Sequence, residues 1–248
     1  MTTLNIKLKE SYPYTYIIHN DSKDNGNPVI ELMTFNKKCT DKDIKIPSQI
    51  DGIPVKIIGE ALFAGTKIES VQIPDSIISI RRRAFYNCKL KDVYIPDSVK
   101  FIRDDAFGFC CDLKTVRWSN RVTRFDPYVF YNCESLESIT NIDNVEEIKK
   151  WAFAFSGIKT FSIPNKCGSI GENAFAHCVH LLNVDIPPSV SSMASNVFEF
   201  SKKVRLNICR NPIIKDWAEL KGLQLAAPRT SEINSFFEKL NEDERGEP

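Results

Sequence analysis

Hydrophobic positions along this chain recur with a long period. Phenylalanine returns every 22 or 23 residues, at Phe63, Phe85, Phe107, Phe130, Phe153, Phe175 and Phe198. Fourteen residues before each of the last six stands Val71, Val93, Val116, Ile139, Phe161 or Val184. That spacing never varies, so the slack lies between each phenylalanine and the next such position, where a surface connection absorbs it. Self-similarity at this period predicts a solenoid, one rung per repeat, in which no rung buries its apolar face without neighbours.

Within a rung the alternation in Val71-Gln-Ile-Pro74, Val93-Tyr-Ile-Pro96, Phe161-Ser-Ile-Pro164 and Val184-Asp-Ile-Pro187 reads as a short strand. Proline ends it, because it cannot donate to a ladder. Stacked in register, these strands predict a parallel sheet along one side. Ile80 to Phe85 and Ile102 to Phe107 carry apolar residues at i, i+4 and i+5, which suits a tight helical or 3₁₀ turn. The expected fold is an α/β repeat solenoid: a right-handed superhelix of short parallel strands and short helical turns, capped at both ends.

At the front, Tyr14 to Ile18 and Val29 to Met33 flank the polar stretch Asn20 to Asn27 and predict a hairpin. At the back, Pro212 to Lys221 predicts a helix with Ile213, Ile214, Trp217 and Leu220 on one face and Gly222 as its stop. A last amphipathic stretch sets Ile233, Phe236, Phe237 and Leu240 at helical spacing. The expected division is a capping hairpin over 1–43, a solenoid of about seven rungs over 44–206, a C-terminal cap over 207–227, and a helix with a charged tail over 228–248.

The recurring Ile-Pro-Asp-Ser-Ile/Val, Ile-x-x-x-Ala-Phe and x-x-Cys elements resemble the BspA-like subclass of leucine-rich repeats. The opening Ile46-Pro-Ser-Gln-Ile-Asp-Gly-Ile-Pro-Val55 resembles the start of that family's first full repeat, and the likeness runs from about residue 44 to 206. It implies a protein-binding surface antigen or adhesin of bacteria or some protists, with no enzymatic activity in this domain. Two rungs depart from the pattern. Val116-Arg-Trp-Ser119 and Ile139-Thr-Asn-Ile142 lack the Ile-Pro pair, which predicts a bulge or a change of curvature in mid-sheet.

If the flanking apolar residues point inward, Gln72, Tyr94, Arg117, Thr140, Ser162 and Asp185 form an outward row on successive rungs. Repeat proteins bind through such surfaces, and Tyr94 and Arg117 are the hot-spot types in the row. The competing reading is a merely solvated sheet face. A second candidate patch is Phe109, Phe155 and Phe200, two residues past the repeat phenylalanine, with Asn87, Asn132 and His177 in that slot between them. Either they form an exposed apolar ridge or, the preferred reading, each ring tucks between rungs.

Composition narrows the function further. Lys+Arg is 33 against Asp+Glu at 32, so no overall field steers the chain to nucleic acid or an acidic membrane. The basic stripe Arg81, Arg82, Arg83, Arg103, Lys149 and Lys150 is interrupted by Asp104, Asp105, Asp126 and Glu172, and reads as a solvated charged edge. The first ten residues hold no leader pattern and no run spans a bilayer, which makes a cytoplasmic location the expectation, or a surface one if an export signal has been removed. Asn20-Asp-Ser22 is a glycosylation triplet only in a secreted protein.

Of eight cysteines, Cys88, Cys110, Cys133 and Cys178 sit three residues after a repeat phenylalanine, in a slot that holds Thr66, Ser156 and Ser201 elsewhere. A slot shared by thiol and hydroxyl wants a small, weakly polar side chain. A Cys88–Cys110 disulfide is within the ~4.8 Å rung spacing, but reduced buried thiols are the preferred reading. His177-Cys-Val-His180 is a weak metal pattern because Cys178 belongs to this ladder. No sequence feature pairs Cys209 with a histidine base. The expectation is a non-enzymatic scaffold with no metal or cofactor, binding a protein partner through the sheet face. The alternatives are an adhesin, and a structural protein that self-associates through the Ile233 to Leu240 helix.

Overall fold

The computed structural model describes residues 9–21, 26–208 and 212–225. The helix expected around Ile233, Phe236, Phe237 and Leu240 lies outside the described residues, as does Cys209. No helix among the described residues is long and apolar enough to cross a membrane.

The repeat phenylalanines set the architecture. Their rings stack along the solenoid axis with centroids 5.2 Å apart from Phe63 to Phe85 to Phe107, then 5.7 and 5.6 Å through Phe130 to Phe153, and 5.2 and 5.8 Å through Phe175 to Phe198. All seven are buried. Each ring removed from water contributes about 1.5–3 kcal/mol, so this one column supplies a large share of the drive to fold. At the front, Tyr14 and Phe35 pack on Phe63 and lengthen the column.

The expected strands form as Ser70–Gln72, Asp92–Tyr94, Thr115–Arg117, Ser138–Thr140, Thr160–Ser162, Asn183–Ile186 and Arg205–Ile208. Their register aligns Val93, Val116 and Ile139, then Phe161, Val184 and Leu206, as the fourteen-residue rule requires. A second row of two-residue strands, from Ser79–Ile80 to Ser192–Met193, pairs in parallel on the other side of each rung. Two residues are too short for alternation to register in the sequence.

The turn carrying the phenylalanine is a run of hydrogen-bonded turns, not a helix. Its backbone enters the left-handed region two residues before and two residues after the ring, as at Arg83 and Asn87, or Trp151 and Phe155. The turn amides donate to the next rung: Arg83 to Asp104 O, Phe85 to Ala106 O and Asn87 to Gly108 O, at 3.0, 2.9 and 2.8 Å. The rungs are thus laced together on the turn side as well.

The slot three residues past the phenylalanine ties its turn to the preceding rung. Cys88, Cys110, Cys133 and Cys178 donate their thiols to the carbonyls of Phe63, Phe85, Phe107 and Phe153, at 3.1, 3.0, 3.2 and 3.1 Å. Ser201 does the same to Phe175 O at 2.7 Å. Thiol and hydroxyl alternate because the task is to be a small donor. The described cysteines are all free.

At the N-terminal end Tyr14–Asp21 and Asn27–Phe35 pair antiparallel, with Lys9–Ser11 outside them, and Asn27–Phe35 joins Ile53–Ile58 in parallel. Gln49–Ile50 folds back on Ile53–Ile58 through Asp51 and Gly52, both left-handed, as a two-residue hairpin demands. The C-terminal helix spans Pro212–Leu220 and ends at Gly222, whose φ of 63° lets Leu223 N–H reach back to Ala218 O at 3.0 Å. Its inward face differs from the expectation. Ile214 and Ala218 are buried and Trp217 is half-buried, whereas Leu220 is 87% exposed, because it falls off the stripe that i, i+3 and i+4 define.

Candidate partner-binding face

Proline, or its substitute, stops each strand after three or four residues, so every rung offers the sheet face one outward residue beyond its buried centre. Gln72, Tyr94, Thr140 and Ser162 are exposed, Tyr94 at 58%, while Arg117 and Asp185 are half-buried. The row therefore faces outward as its alternation requires, but two of its charges are tied down. Arg117 grips Asp97 through two nitrogens at 3.0 and 2.8 Å, donates to Ile95 O at 3.0 Å, and lies 4.7 Å from the centre of the Tyr94 ring. The two hot-spot candidates are thus one unit. Asp185 accepts from Ser162 Oγ at 2.8 Å and from Asn207 Nδ2 at 3.1 Å.

The outer rows carry a charge ladder. Lys42 and Lys91 both close on Glu69, and their hydrogen bonds bring its carboxyl down to about 2. Asp97 is likewise held below the usual carboxylate range, first by Arg117 and then by the Asn120 amide.

The departures at rungs four and five have structural consequences. Trp118 fills the slot of Ile73 and Ile95, fully buried against Phe125 and Phe130, and Ser119 Oγ donates to Val99 O at 2.6 Å where proline stands elsewhere. One rung later Asn141 turns left-handed at φ 62°, and Ile142 packs against the core from the proline slot. Asn141 Nδ2 donates to Trp118 O at 2.8 Å and to Asp97 Oδ1 at 3.2 Å. The disturbance is a left-handed residue just after the strand, and Ser138–Thr140 itself keeps unbroken register with Thr115–Arg117. Beyond it the ladder stops: Ser138–Thr140 ends one sheet, and Thr160–Ser162 begins another.

A groove of about 710 Å³ opens at that seam. Its lining combines apolar Ile139, Ile142 and Pro164 with polar Thr140, Asn141, Thr160, Ser162 and Asn207 and the carboxylates Glu137, Asp143 and Asp185. Thr140, Ser162 and Asp185 of the outward row are brought together in it; Gln72, Tyr94 and Arg117 lie outside its lining. Glu137, Asp143 and Asn207 escaped the sequence reading, although the lost Ile-Pro pair marked the place.

The second patch sits on the turn edge. Phe109 and Phe155 are half-buried and Phe200 is 58% exposed. They are not isolated rings on alternate rungs. Tyr86, Phe109, Tyr131, Phe155, His177 and Phe200 touch in unbroken succession, at centroid distances of 5.2, 5.3, 5.4, 4.2 and 4.6 Å. The tyrosines were overlooked because they stand one residue after the repeat phenylalanine instead of two.

The basic stripe is divided among acidic neighbours. Arg82 pairs with Glu60 at 2.8 Å, Arg83 with Asp105 at 3.0 Å, and Lys149 with Glu147 at 2.5 Å. Arg103 and Arg124 both face buried Asp126, at 3.9 and 2.5 Å, beside a small cleft of about 160 Å³ where the second strand row is interrupted. Burial pushes the Asp126 carboxyl up despite them. Of the weak metal pattern, His177 is sandwiched between Phe155 and Phe200, Cys178 donates to Phe153 O, and His180 is exposed.

The sequence profile of the BspA type leucine-rich repeat region matches in six copies, over residues 28–123, 56–181 and 102–218. The chain belongs to this family. Leucine-rich repeat proteins of known structure share the fold. A leucine-rich cell surface protein from Faecalibacterium prausnitzii superposes with a TM-score of 0.56 at 22% identity, over 82% of this chain and 79% of its own. A leucine-rich repeat protein of T. pallidum gives 0.52 at 21% identity, over 89% of this chain and all of its own. No curated protein matches the sequence.

Proposed function

We propose that this BspA-type chain is a non-enzymatic scaffold that binds a protein partner through the sheet face, from Tyr94 to the groove at Ser162. The observation that carries this reading is the groove itself. It is a concave site of about 710 Å³ on the sheet face, lined in part by Thr140, Ser162 and Asp185 of the outward row. Stacked rungs hold those side chains in place beforehand, so little conformational entropy is lost on association. Tyr94 with the Arg117 fork beside it supplies a rigid aromatic anchor at one end, and the groove supplies shape at the other.

A photo-crosslinking side chain placed at Tyr94 or Ser162, and separately at exposed Glu134 on the turn, tests the reading in extract of the source cells. A discrete protein adduct formed from the two sheet positions and not from Glu134 is expected. Equal adducts from all three, or none from the sheet face, would sink it.

A further inference from the structure

The Asp97–Arg117 pair has a counterpart along the solenoid in which the cation is missing. Asp97 stands in the slot after the strand-ending proline, and Arg117 is the outward residue of the next rung. Two rungs on, the same two slots hold Asp143 and Ser162, and both line the groove. Serine is too short and uncharged to answer the carboxylate. Glu137, also in the lining, shows the same deficit. Its equivalent Glu69 is closed on by lysines from both neighbouring rungs, whereas Lys114 and Lys159 occupy those places beside Glu137 without pairing with it. Lys166, the residue after Asn165 of the lining, is turned to Asn144 Oδ1 at 2.6 Å. No lysine or arginine is among the lining residues.

We propose that this groove takes an extended peptide segment bearing basic side chains, one of which occupies at Asp143 the place that Arg117 occupies at Asp97. The inference rests on the sheet-face reading above and names the chemistry of its partner. Three features of the groove fit that occupant. Its volume suits a short segment and not a folded domain. Its lining carries hydroxyls and carboxamides, which both donate and accept as peptide amides require. It lies where Ser138–Thr140 and Thr160–Ser162 are not paired to each other, so main-chain groups border it, as in recognition by strand addition. Ile139 and Ile142 in the lining offer apolar contact to alternate side chains of an extended chain.

The test uses the full chain. Random linear peptides displayed on phage are selected against it, and synthetic copies of the winners are titrated into the wild type and four variants, each checked by its melting curve. Ser162→Arg supplies the missing guanidinium from within, Asp143→Asn removes the charge, Ser162→Trp fills the groove, and Tyr94→Ala alters the face outside it. Winners enriched in lysine and arginine, weakened about tenfold or more by Ser162→Arg and by Asp143→Asn and further weakened by salt, are expected. Winners lost on Ser162→Trp but neutral or acidic, and indifferent to Asp143→Asn, would overturn the basic class and leave the groove as a binding site. Winners that depend on Tyr94 alone would overturn the groove and leave the face. No winner sensitive to any of these positions would overturn both readings.

Discussion

Arg117 holds Asp97 by two parallel hydrogen bonds of 3.0 and 2.8 Å across neighbouring rungs, and lays its guanidinium over Tyr94. Asp97 also accepts from the Asn120 amide at 3.0 Å and from Asn141 Nδ2 at 3.2 Å. One carboxylate therefore ties together three consecutive rungs just before the sheet is interrupted. It joins Tyr94, through Arg117, and Asn141 of the groove lining in a single network.

The acid limb of stability should report this network. Arg117 holds the Asp97 carboxyl below its ordinary value, so its contribution is complete above an unfolded pKa of about 3.9 and is lost as pH falls through the lower folded value. Asp97→Asn should cost about 1 kcal/mol near neutrality, a modest figure because both side chains are partly exposed to screening solvent. The variant should also lose part of the decline below pH 4. Urea melts of both proteins across pH 2.5–7 check this. Parallel pH profiles would remove Asp97 from the account.

The thiol ladder makes a different prediction. Cys110 donates to Phe85 O from a fully buried site, as Ser201 does to Phe175 O. Cys110→Ser should therefore be tolerated, whereas Cys110→Ala, which leaves a buried carbonyl without its donor, should cost about 1–3 kcal/mol. Burial pushes the Cys88 thiol up to about 11 and holds Cys110 well above its usual value. The ladder thiols stay protonated and enclosed, so a thiolate-selective reagent at pH 8 should label half-exposed Cys39 and Cys111 before any ladder cysteine. Peptide mapping of the labelled native chain decides it.

The phenylalanine column was legible from spacing alone because a ring stacked on its neighbours cannot shift by a residue without opening a void. The outward row was legible for a related reason, since Val93 and Val116 pointing in force Tyr94 and Arg117 out. What the sequence did not disclose depends on contacts between rungs. Arg117 reads as a free cation until Asp97, twenty residues earlier, is seen beneath it. Leu220 reads as core until the helix is docked by Ile214 and Ala218. The groove belongs to both kinds: the loss of Ile-Pro at Asn141-Ile142 announced a disturbance, but only the ended ladder shows that it leaves a concavity.

Substituting the column probes how the rungs share stability. Phe107 stacks on Phe85 and Phe130, with ring planes inclined by 3° and 16°. Phe107→Ala should cost about 3–5 kcal/mol, because packed neighbours on both sides cannot collapse into the space. Phe198 at the column's end stacks on Phe175, and in a chain stabilised by neighbour contacts its loss should loosen the last rungs and spare the middle. Amide exchange separates the two. Phe198→Ala should raise exchange from about residue 184 onward, while Phe107→Ala should raise it throughout. A uniform response to both would mean that the rungs do not melt by neighbourhood.

Gly157 gives the sharpest test of how the seam is built. It lies on the turn side between rungs five and six, its amide donating to Cys133 O at 3.1 Å. A Cβ there would stand 2.1 Å from Glu134 O, a contact with backbone that no side-chain movement can relieve. The two rungs are thus pressed together at Gly157, three residues before Thr160–Ser162, a strand left unpaired with Ser138–Thr140 at the groove. Gly157→Ala should force the turn side apart and cost about 1–3 kcal/mol or more. Melting temperature measures that cost, and Ser162→Ala serves as a control that leaves the turn side untouched. Gly157 is not itself a lining residue but adjoins Ile158, which is, so peptide affinity should fall in Gly157→Ala through the altered width of the groove. Wild-type affinity in a destabilised Gly157→Ala protein would show that the groove's shape is set by the sheet alone.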